Sequence, residues 1–480
     1  MGKPIMVVGT SSGAGKSLLC AAICRILSNK GYSVAPFKMQ NMSLNSICSV
    51  EGGEMSIAQY IQSIACRKQP SIRYNPLLLK PEKGQTYVVF EGNFTERLPA
   101  LSYMTDRKRK YFEKGIQSLK KLLEENDYVI IEGAGSPAEV NLKKYDIVNM
   151  AVAKAVNADT ILVTDIDRGG SFASITGTME IFTQEERNLV KGFVFNKFRG
   201  NASILDSGFE FLFDRYSVPT IGIIPMISHK IPEEDSLQIW ENQTGELDIR
   251  ILKTPFISNF SDFTPLSWYN GIKYVESPEE TGGDILIIPG SKRTIDDLEW
   301  IRENRIDDAI KKAIKNGTFI MGICGGFQMM GESITDNFES RKGICEGLGI
   351  LPIDTVFSEE KITGNTERKV LWNNLEIQVK GYEIRHGKTK PSTENHSFFS
   401  VLKDEEGKSL YEGSITENAL GTYLHGIFYN DNFTREFLNY FRKGKGLSQL
   451  NQKRNSLDEE IERWAKIVSE NLNLDKLTGV

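Results

Sequence analysis

Short apolar runs alternate with helical patterns through the first half of the chain. The runs fall at 4–8, 33–37, 128–132, 160–165, 191–195 and 220–224, and each reads as a buried strand. Between them, apolar positions at helical spacing predict helices over 16–29, 54–66, 108–125, 146–156, 170–181 and 203–216. Strands that are apolar on both faces and separated by helices predict a mostly parallel sheet covered on both sides. Residues 71–107 break this rhythm and read as an insertion over the active face. Residues 226–249 are polar, carry Pro232 and lack a period, as expected of a linker. A second alternating region follows, with strands at 251–257, 284–288 and 318–322 and helices at 264–269, 302–316 and 326–333. The pattern from 351 to 430 is richer in strands. The charged tail is helical, and Ile461, Trp464, Ala465 and Ile467 are spaced to dock one helix face. The domains expected are therefore 1–225, a linker at 226–249, 250–435, and a charged helical extension at 436–480.

A chain of 480 residues exceeds one ordinary core, which agrees with two α/β domains. The formal net charge of −5 gives no electrostatic reason to expect a nucleic acid partner. No apolar run reaches the roughly 18 residues that would span a bilayer, so no membrane insertion is expected. The run Ile5-Met6-Val7-Val8 leads straight into a glycine loop, which makes it a first strand and not a signal peptide. None of the six cysteines forms a Cys-x-x-Cys pair. Cys20 and Cys24 share one helix face and read as core residues, so a reducing cytoplasm fits.

Gly9-Thr10-Ser11-Ser12-Gly13-Ala14-Gly15-Lys16-Ser17 joins the first strand to the first helix. Backbone N–H groups of such a loop point inward and hold phosphates. Thr10, Gly13, Gly15 and Lys16 would cradle ATP, and Ser17 would hold Mg²⁺. Thr10 stands where the common pattern has glycine, and Gly9 comes one step earlier, as in a longer loop variant. Glu132 ends an apolar strand and is the carboxylate expected on the metal. Asp165 and Asp167 end the next strand, where one of them would serve metal or substrate, or cap a turn; Arg168 follows. Asn196-Lys197 closes another strand. Asn196 would read an adenine edge or hold a turn. Lys38, Gln40, Asn41, Ser43 and Asn45 leave the second strand together, at the edge where substrate carboxylate and phosphoryl contacts are expected.

The second chemistry lies about 300 residues downstream. Phe319-Ile320-Met321-Gly322-Ile323 feeds Cys324 into Gly325-Gly326 and a helix, the form of a nucleophile elbow. His425, in Gly421-Thr422-Tyr423-Leu424-His425-Gly426, ends its own apolar segment and is the expected base. Backbone N–H groups at Gly325 and Gly290 would face an oxyanion. The position two past the histidine, where many Cys-His amidotransferases carry a carboxylate, is Ile427. Another group orients His425, with Glu383 a candidate, or the pair is a dyad. ATP together with a thiol nucleophile suggests an ATP-driven ligase with its own nucleophilic half.

These segments, in this order, are similar to those of the glutamine-hydrolysing cobyric acid synthases, an amidotransferase family of cobalamin biosynthesis. The likeness covers residues 4 to about 430 and adds Glu132-Gly133-Ala134-Gly135-Ser136-Pro137-Ala138-Glu139, Asn196-Lys197-Phe198-Arg199-Gly200, Ser258-Asn259-Phe260-Ser261-Asp262-Phe263 and Pro289-Gly290-Ser291-Lys292. It departs at Glu383-Ile384-Arg385-His386-Gly387, where the family often has the histidine one place earlier. The resemblance implies an N-terminal P-loop domain of the dethiobiotin-synthetase type and a C-terminal class I glutamine amidotransferase domain. It implies ATP- and glutamine-dependent amidation of the b, d, e and g carboxylates of adenosylcobyrinic acid a,c-diamide. ATP and Mg²⁺ would be required, with no tightly bound prosthetic group, and the partners would be a corrinoid and L-glutamine. A homo-oligomer is compatible with the pattern. The alternatives are an a,c-diamide synthase, a cell-wall glutamate amidase, or a ParA-like ATP switch carrying an inactive glutaminase domain.

Overall fold

Six apolar segments of the first half assemble into one parallel sheet. Its order is Thr220–Pro225, Val190–Phe198, Asp159–Asp165, Lys3–Gly9, Tyr128–Glu132 and Val34–Phe37. Ile5, Met6, Val7, Val129, Ile130, Ile131, Ile161, Leu162 and Val163 are fully buried, as strands covered on both faces require. The computed structural model describes residues 1–82, 85–99, 107–232, 234, 245–403, 408–453 and 455–478. The chain divides into two compact units, Met1–Ser43 with Ser49–Ile231 and Asn455–Val480, and Leu44–Cys48 with Pro232–Arg454. Much of the stretch 226–249 expected as a linker lies outside the described residues.

The helices of the first unit follow the sequence pattern, with local corrections. Glu54–Ser56 is extended, and the helix there is Ile57–Ala65, because the Ser56 hydroxyl caps it by accepting from the Ala58 N–H at 3.1 Å. The helix expected from 146 begins at Met150, since Asp146 turns its carboxylate onto the N–H groups of Val148, Asn149 and Ala151. The insertion supplies three antiparallel strands, Leu77–Glu82, Gln85–Phe90 and Asn93–Pro99, and Gln40–Met42 joins their edge. Residues 83–84 and 100–106 of the insertion lie outside the described residues.

The tail divides between the units. Asp431–Gly444 is helical in the second unit, and Arg442 pairs there with Glu246 at 2.7 Å. Leu457–Asn471 belongs to the first, where a capping box of Ser456 and Glu459 starts it. Ile461, Trp464 and Ala465 are buried as expected, Val468 is buried where Ile467 was expected and Ile467 is half-buried, and the helix packs on Lys16–Asn29. Trp464 donates its indole N–H to the Leu18 carbonyl at 2.9 Å. Arg25, with no exposed surface, pairs with Asp458 and Glu462 and donates to the carbonyls of Ile64 and Ala65.

The second unit has its own sheet, ordered Ile272–Val275, Ile249–Leu252, Ile285–Ile288, Phe319–Ile323, Ala419–Thr422 and Ser414–Ile415. All pairs are parallel except the last. A long hairpin, Ile353–Trp372 with Leu375–Pro391, forms a second sheet with shorter strands. The helix expected over 302–316 is two helices, Thr294–Glu303 and Ile306–Lys315, broken where Arg305 takes a left-handed φ of 58°. The helix expected to reach 333 stops at Met329, and Ser333–Asp336 is a strand. The strand expected over 251–257 is Ile249–Leu252, after which Pro255 ends the ladder.

Candidate active site

In the first unit the glycine loop is held by side chains from neighbouring strand ends. Gly15 has φ of 90°, and a Cβ there would lie 2.0 Å from the Asn196 amide nitrogen, so only glycine fits. Asn196 uses that nitrogen to donate to the Ala14 carbonyl at 2.9 Å. Lys197 donates to the Gly13 carbonyl at 2.8 Å and to Asp165 at 2.9 Å, and Arg168 lies 3.4 Å from the same carboxylate. The Thr10 hydroxyl bonds Thr164 at 3.2 Å. Lys16 donates to the carbonyls of Ser11 and Gly135, both at 3.0 Å.

Glu132 is the centre of the polar cluster. One carboxylate oxygen accepts from Ser17 at 2.7 Å and from Lys38 at 2.8 Å. The other accepts from Gln62 at 2.5 Å and Gln59 at 3.3 Å. Burial pushes the Glu132 carboxyl up, but the Lys38 ammonium and the hydrogen bonds from Lys38, Ser17 and Gln62 hold it below the usual carboxylate range. Of the other polar residues after Lys38, Asn41 is buried and donates to Ser56 and Gln59. Ser43 is buried, and its N–H bonds the Leu79 carbonyl at 3.0 Å. Gln40 is half-buried. Asn45 belongs to the second unit, where its side chain accepts from Ser261 at 2.7 Å.

In the second unit Cys324 sits between Phe319–Ile323 and the short helix Gly325–Met329 with φ of 52° and ψ of −106°. A non-glycine residue in that region is strained, as a sharp strand-to-helix turn demands. A Cβ on Gly326 would lie 1.9 Å from the Ile288 carbonyl oxygen, which explains the glycine. The Cys324 thiol approaches the Ile384 carbonyl at 3.5 Å and is hydrogen-bonded to His425. Gly290 borders the His425 ring, and Gly325 packs on Ser291, so both expected oxyanion glycines are beside the elbow.

The group that orients His425 is Asp262. Its Oδ2 lies 2.6 Å from Nδ1 of the buried imidazole, and its Oδ1 accepts from the Gly426 N–H at 2.9 Å. Burial lowers the histidine pKa, but the Asp262 carboxylate and the Cys324 sulfur outweigh it and raise the net value well above the ordinary one. Glu383 does not take that place: it is bonded to Arg368 at 2.6 Å and Arg385 at 2.8 Å. The Arg385 guanidinium lies 4.1 Å over the Tyr423 ring; burial lowers its pKa, but Tyr423, Glu383 and, last, Cys324 outweigh this and raise it. His386 instead packs beside Phe338, 5.2 Å between ring centres.

An acid, an imidazole and a thiol in series can generate a thiolate and return a proton to a leaving amine. Residues 5–237 match the family model of the CobQ/CobB/MinD/ParA nucleotide binding domain, and 248–433 match that of the CobB/CobQ-like glutamine amidotransferase domain. The chain is 55% identical to the "Probable cobyric acid synthase" of Thermococcus onnurineus, over 99% of this chain and 98% of the relative. It is 54% identical to that of Thermococcus gammatolerans, over 100% and 99%. It is also 40% identical to the "Cobyric acid synthase" of Clostridium novyi, over 99% and 97%. The chain belongs to the cobyric acid synthase family. It is thus an enzyme, a glutamine-dependent and ATP-dependent amide ligase, and both domains expected from the sequence are present. Asp262, Gln59 and Gln62 had no assigned role in the sequence, although Asp262 stands within the segment Ser258–Phe263 that resembles the family. Among the described residues no helix is long and apolar enough to cross a membrane.

Proposed function

We propose that this member of the cobyric acid synthase family amidates the b, d, e and g side-chain carboxylates of adenosylcobyrinic acid a,c-diamide, in the cytoplasm, using one glutamine and one ATP for each amide. The observation that carries this reading is the series Asp262–His425–Cys324 in a chain whose other unit carries a P-loop. The Cys324 thiolate attacks the carboxamide carbon of glutamine while N–H groups at Gly290 and Gly325 face the oxyanion. His425, its Nδ1 held by Asp262, gives a proton to the departing nitrogen. Ammonia leaves, and water then cleaves the glutamyl thioester to glutamate.

In the synthetase half a corrinoid carboxylate takes the γ-phosphoryl group of ATP, with Lys16 and Lys38 offsetting charge. Ammonia displaces phosphate from the acyl phosphate and leaves an amide. A carboxylate alone has no adequate leaving group, which is why one chain needs both chemistries. Asn196, Lys197, Thr10, Gly13 and Gly15 shape the nucleotide loop. Gln40, Ser43, Asp165 and Arg168 border the substrate side. Ser17 and Glu132 would hold Mg²⁺: their oxygens are hydrogen-bonded to each other, and hydroxyl and carboxylate donors suit this hard cation. The ion would neutralise phosphate charge. Lys38, bonded to the same Glu132 oxygen, would add its charge to that end of the loop, facing the transferring phosphoryl group.

The test is mass spectrometry of adenosylcobyrinic acid a,c-diamide after incubation with the enzyme, MgATP and glutamine. Four successive exchanges of OH for NH₂ are expected. A corrinoid of unchanged mass, or amidation of cobyrinic acid at two positions only, contradicts the reading.

A further inference from the structure

The chain places five residues from its N-terminal half, Leu44–Cys48, in the second unit. Their polar groups converge on the two supports of His425. Asn45, fully buried, accepts through Oδ1 from the buried Ser261 hydroxyl at 2.7 Å, in the residue before Asp262. The Ser46 carbonyl accepts from the Asn259 amide at 2.8 Å and from the Tyr382 hydroxyl at 3.3 Å. Asn259 starts the tight turn that carries Asp262. Its φ is 52°, its carbonyl accepts from the Asp262 N–H at 3.0 Å, and its amide also donates to Tyr382 at 3.1 Å. Tyr382 lies flat against the imidazole, with ring centres 5.2 Å apart and planes 17° apart, and its backbone exchanges both hydrogen bonds with His425. Ser46 thus ties together the turn that aims the Asp262 carboxylate and the ring that backs the histidine.

We propose that Asn45 and Ser46 are positioning residues of the glutaminase site, setting the Asp262–His425 geometry from a segment that contributes no catalytic group. The geometry argument is one of reach. A charge-assisted bond of 2.6 Å weakens steeply if the carboxylate swings by a fraction of an ångström. The turn has Ser261 and Asn259, two adjoining anchor points, fastened to this segment. The inference rests on the glutaminase reading of Cys324.

Glutaminase kinetics of the full-length enzyme test it, with Ser261→Ala, Asn45→Ala, the double variant and Tyr382→Phe. Each single change is expected to lower kcat about tenfold with little change in KM for glutamine. The alkaline limb of kcat should move to lower pH, because a displaced Asp262 holds the His425 proton less well. Ser261→Ala and Asn45→Ala should not add in the double variant, since they break one bond. Ammonia-dependent amidation by Ser261→Ala should stay at the wild-type rate. Unchanged kcat and pH profiles overturn the proposal, as does an equal fall in glutamine- and ammonia-dependent activity, which would mark a general loss of fold. Tyr382→Phe keeps the stacked ring and serves if the other variants fold poorly. Wild-type enzyme without glutaminase activity would instead sink the reading of Cys324 itself.

Discussion

Asp262 Oδ2 lies 2.6 Å from His425 Nδ1, across 163 positions of sequence, and supplies the carboxylate that Ile427 cannot. A buried imidazole with one nitrogen fixed has one tautomer and one orientation, which aims the other nitrogen at Cys324. Asp262→Ala should therefore lower glutamine hydrolysis by about a hundredfold or more while ammonia-dependent amidation persists. Side-by-side assays with the two nitrogen sources check this. Glutaminase activity close to wild type would show that His425 needs no carboxylate.

Lys38 shares an oxygen of Glu132 with Ser17 at the heart of the other unit. Lys38→Met is expected to cut amidation from either nitrogen source by about a hundredfold, as removal of a group that stabilises developing charge does. Glutamine hydrolysis should continue. Loss of both activities in a folded variant would argue against separable sites.

Burial pushes the Asp297 carboxyl up to about 6, against hydrogen bonds from Ser291, the Phe256 N–H and Thr254. Folding therefore favours its protonated form. Its stabilising contribution is complete below the unfolded pKa of about 4 and is lost as pH rises through about 6. Urea unfolding of wild type and Asp297→Asn at pH 5 and pH 8 reads this out. The stability of wild type relative to the variant should fall by roughly 1 kcal/mol from pH 5 to pH 8. A difference that grows with pH would contradict the sign.

Trp464 fastens the C-terminal helix to the helix that follows the phosphate loop, through its buried ring and its bond to Leu18. Trp464→Ala should cost about 3 kcal/mol in stability, from lost burial and a cavity. Denaturant unfolding measures it. A cost under about 0.5 kcal/mol would mean that the helix is dispensable to that unit.

The parts of the fold and site that depend on contiguous residues were legible in the sequence. The loop Gly9–Ser17, the elbow around Cys324 and the strand ends at Glu132 and Asp165 each carry their geometry within a few residues. Asp262 was not legible as a partner of His425, because a turn and two sheets separate them in the chain. The only signal was an acid inside the block Ser258–Phe263, with no period to assign it. Asn45 looked like its neighbours Lys38 and Gln40, since nothing local shows that the chain passes from one unit to the other after Ser43. The continuous helix expected over 302–316 failed at Arg305, whose left-handed φ ends one helix and starts the next although arginine itself favours helix.

The central claim, that Cys324 supplies nitrogen to a separate ATP-dependent site, is tested most directly by Cys324→Ala. Mass spectrometry of adenosylcobyrinic acid a,c-diamide with MgATP should show no amidation by this variant from glutamine and full stepwise amidation from ammonium salts. Amidation from glutamine at the wild-type rate, or none from either source by a folded variant, would contradict it.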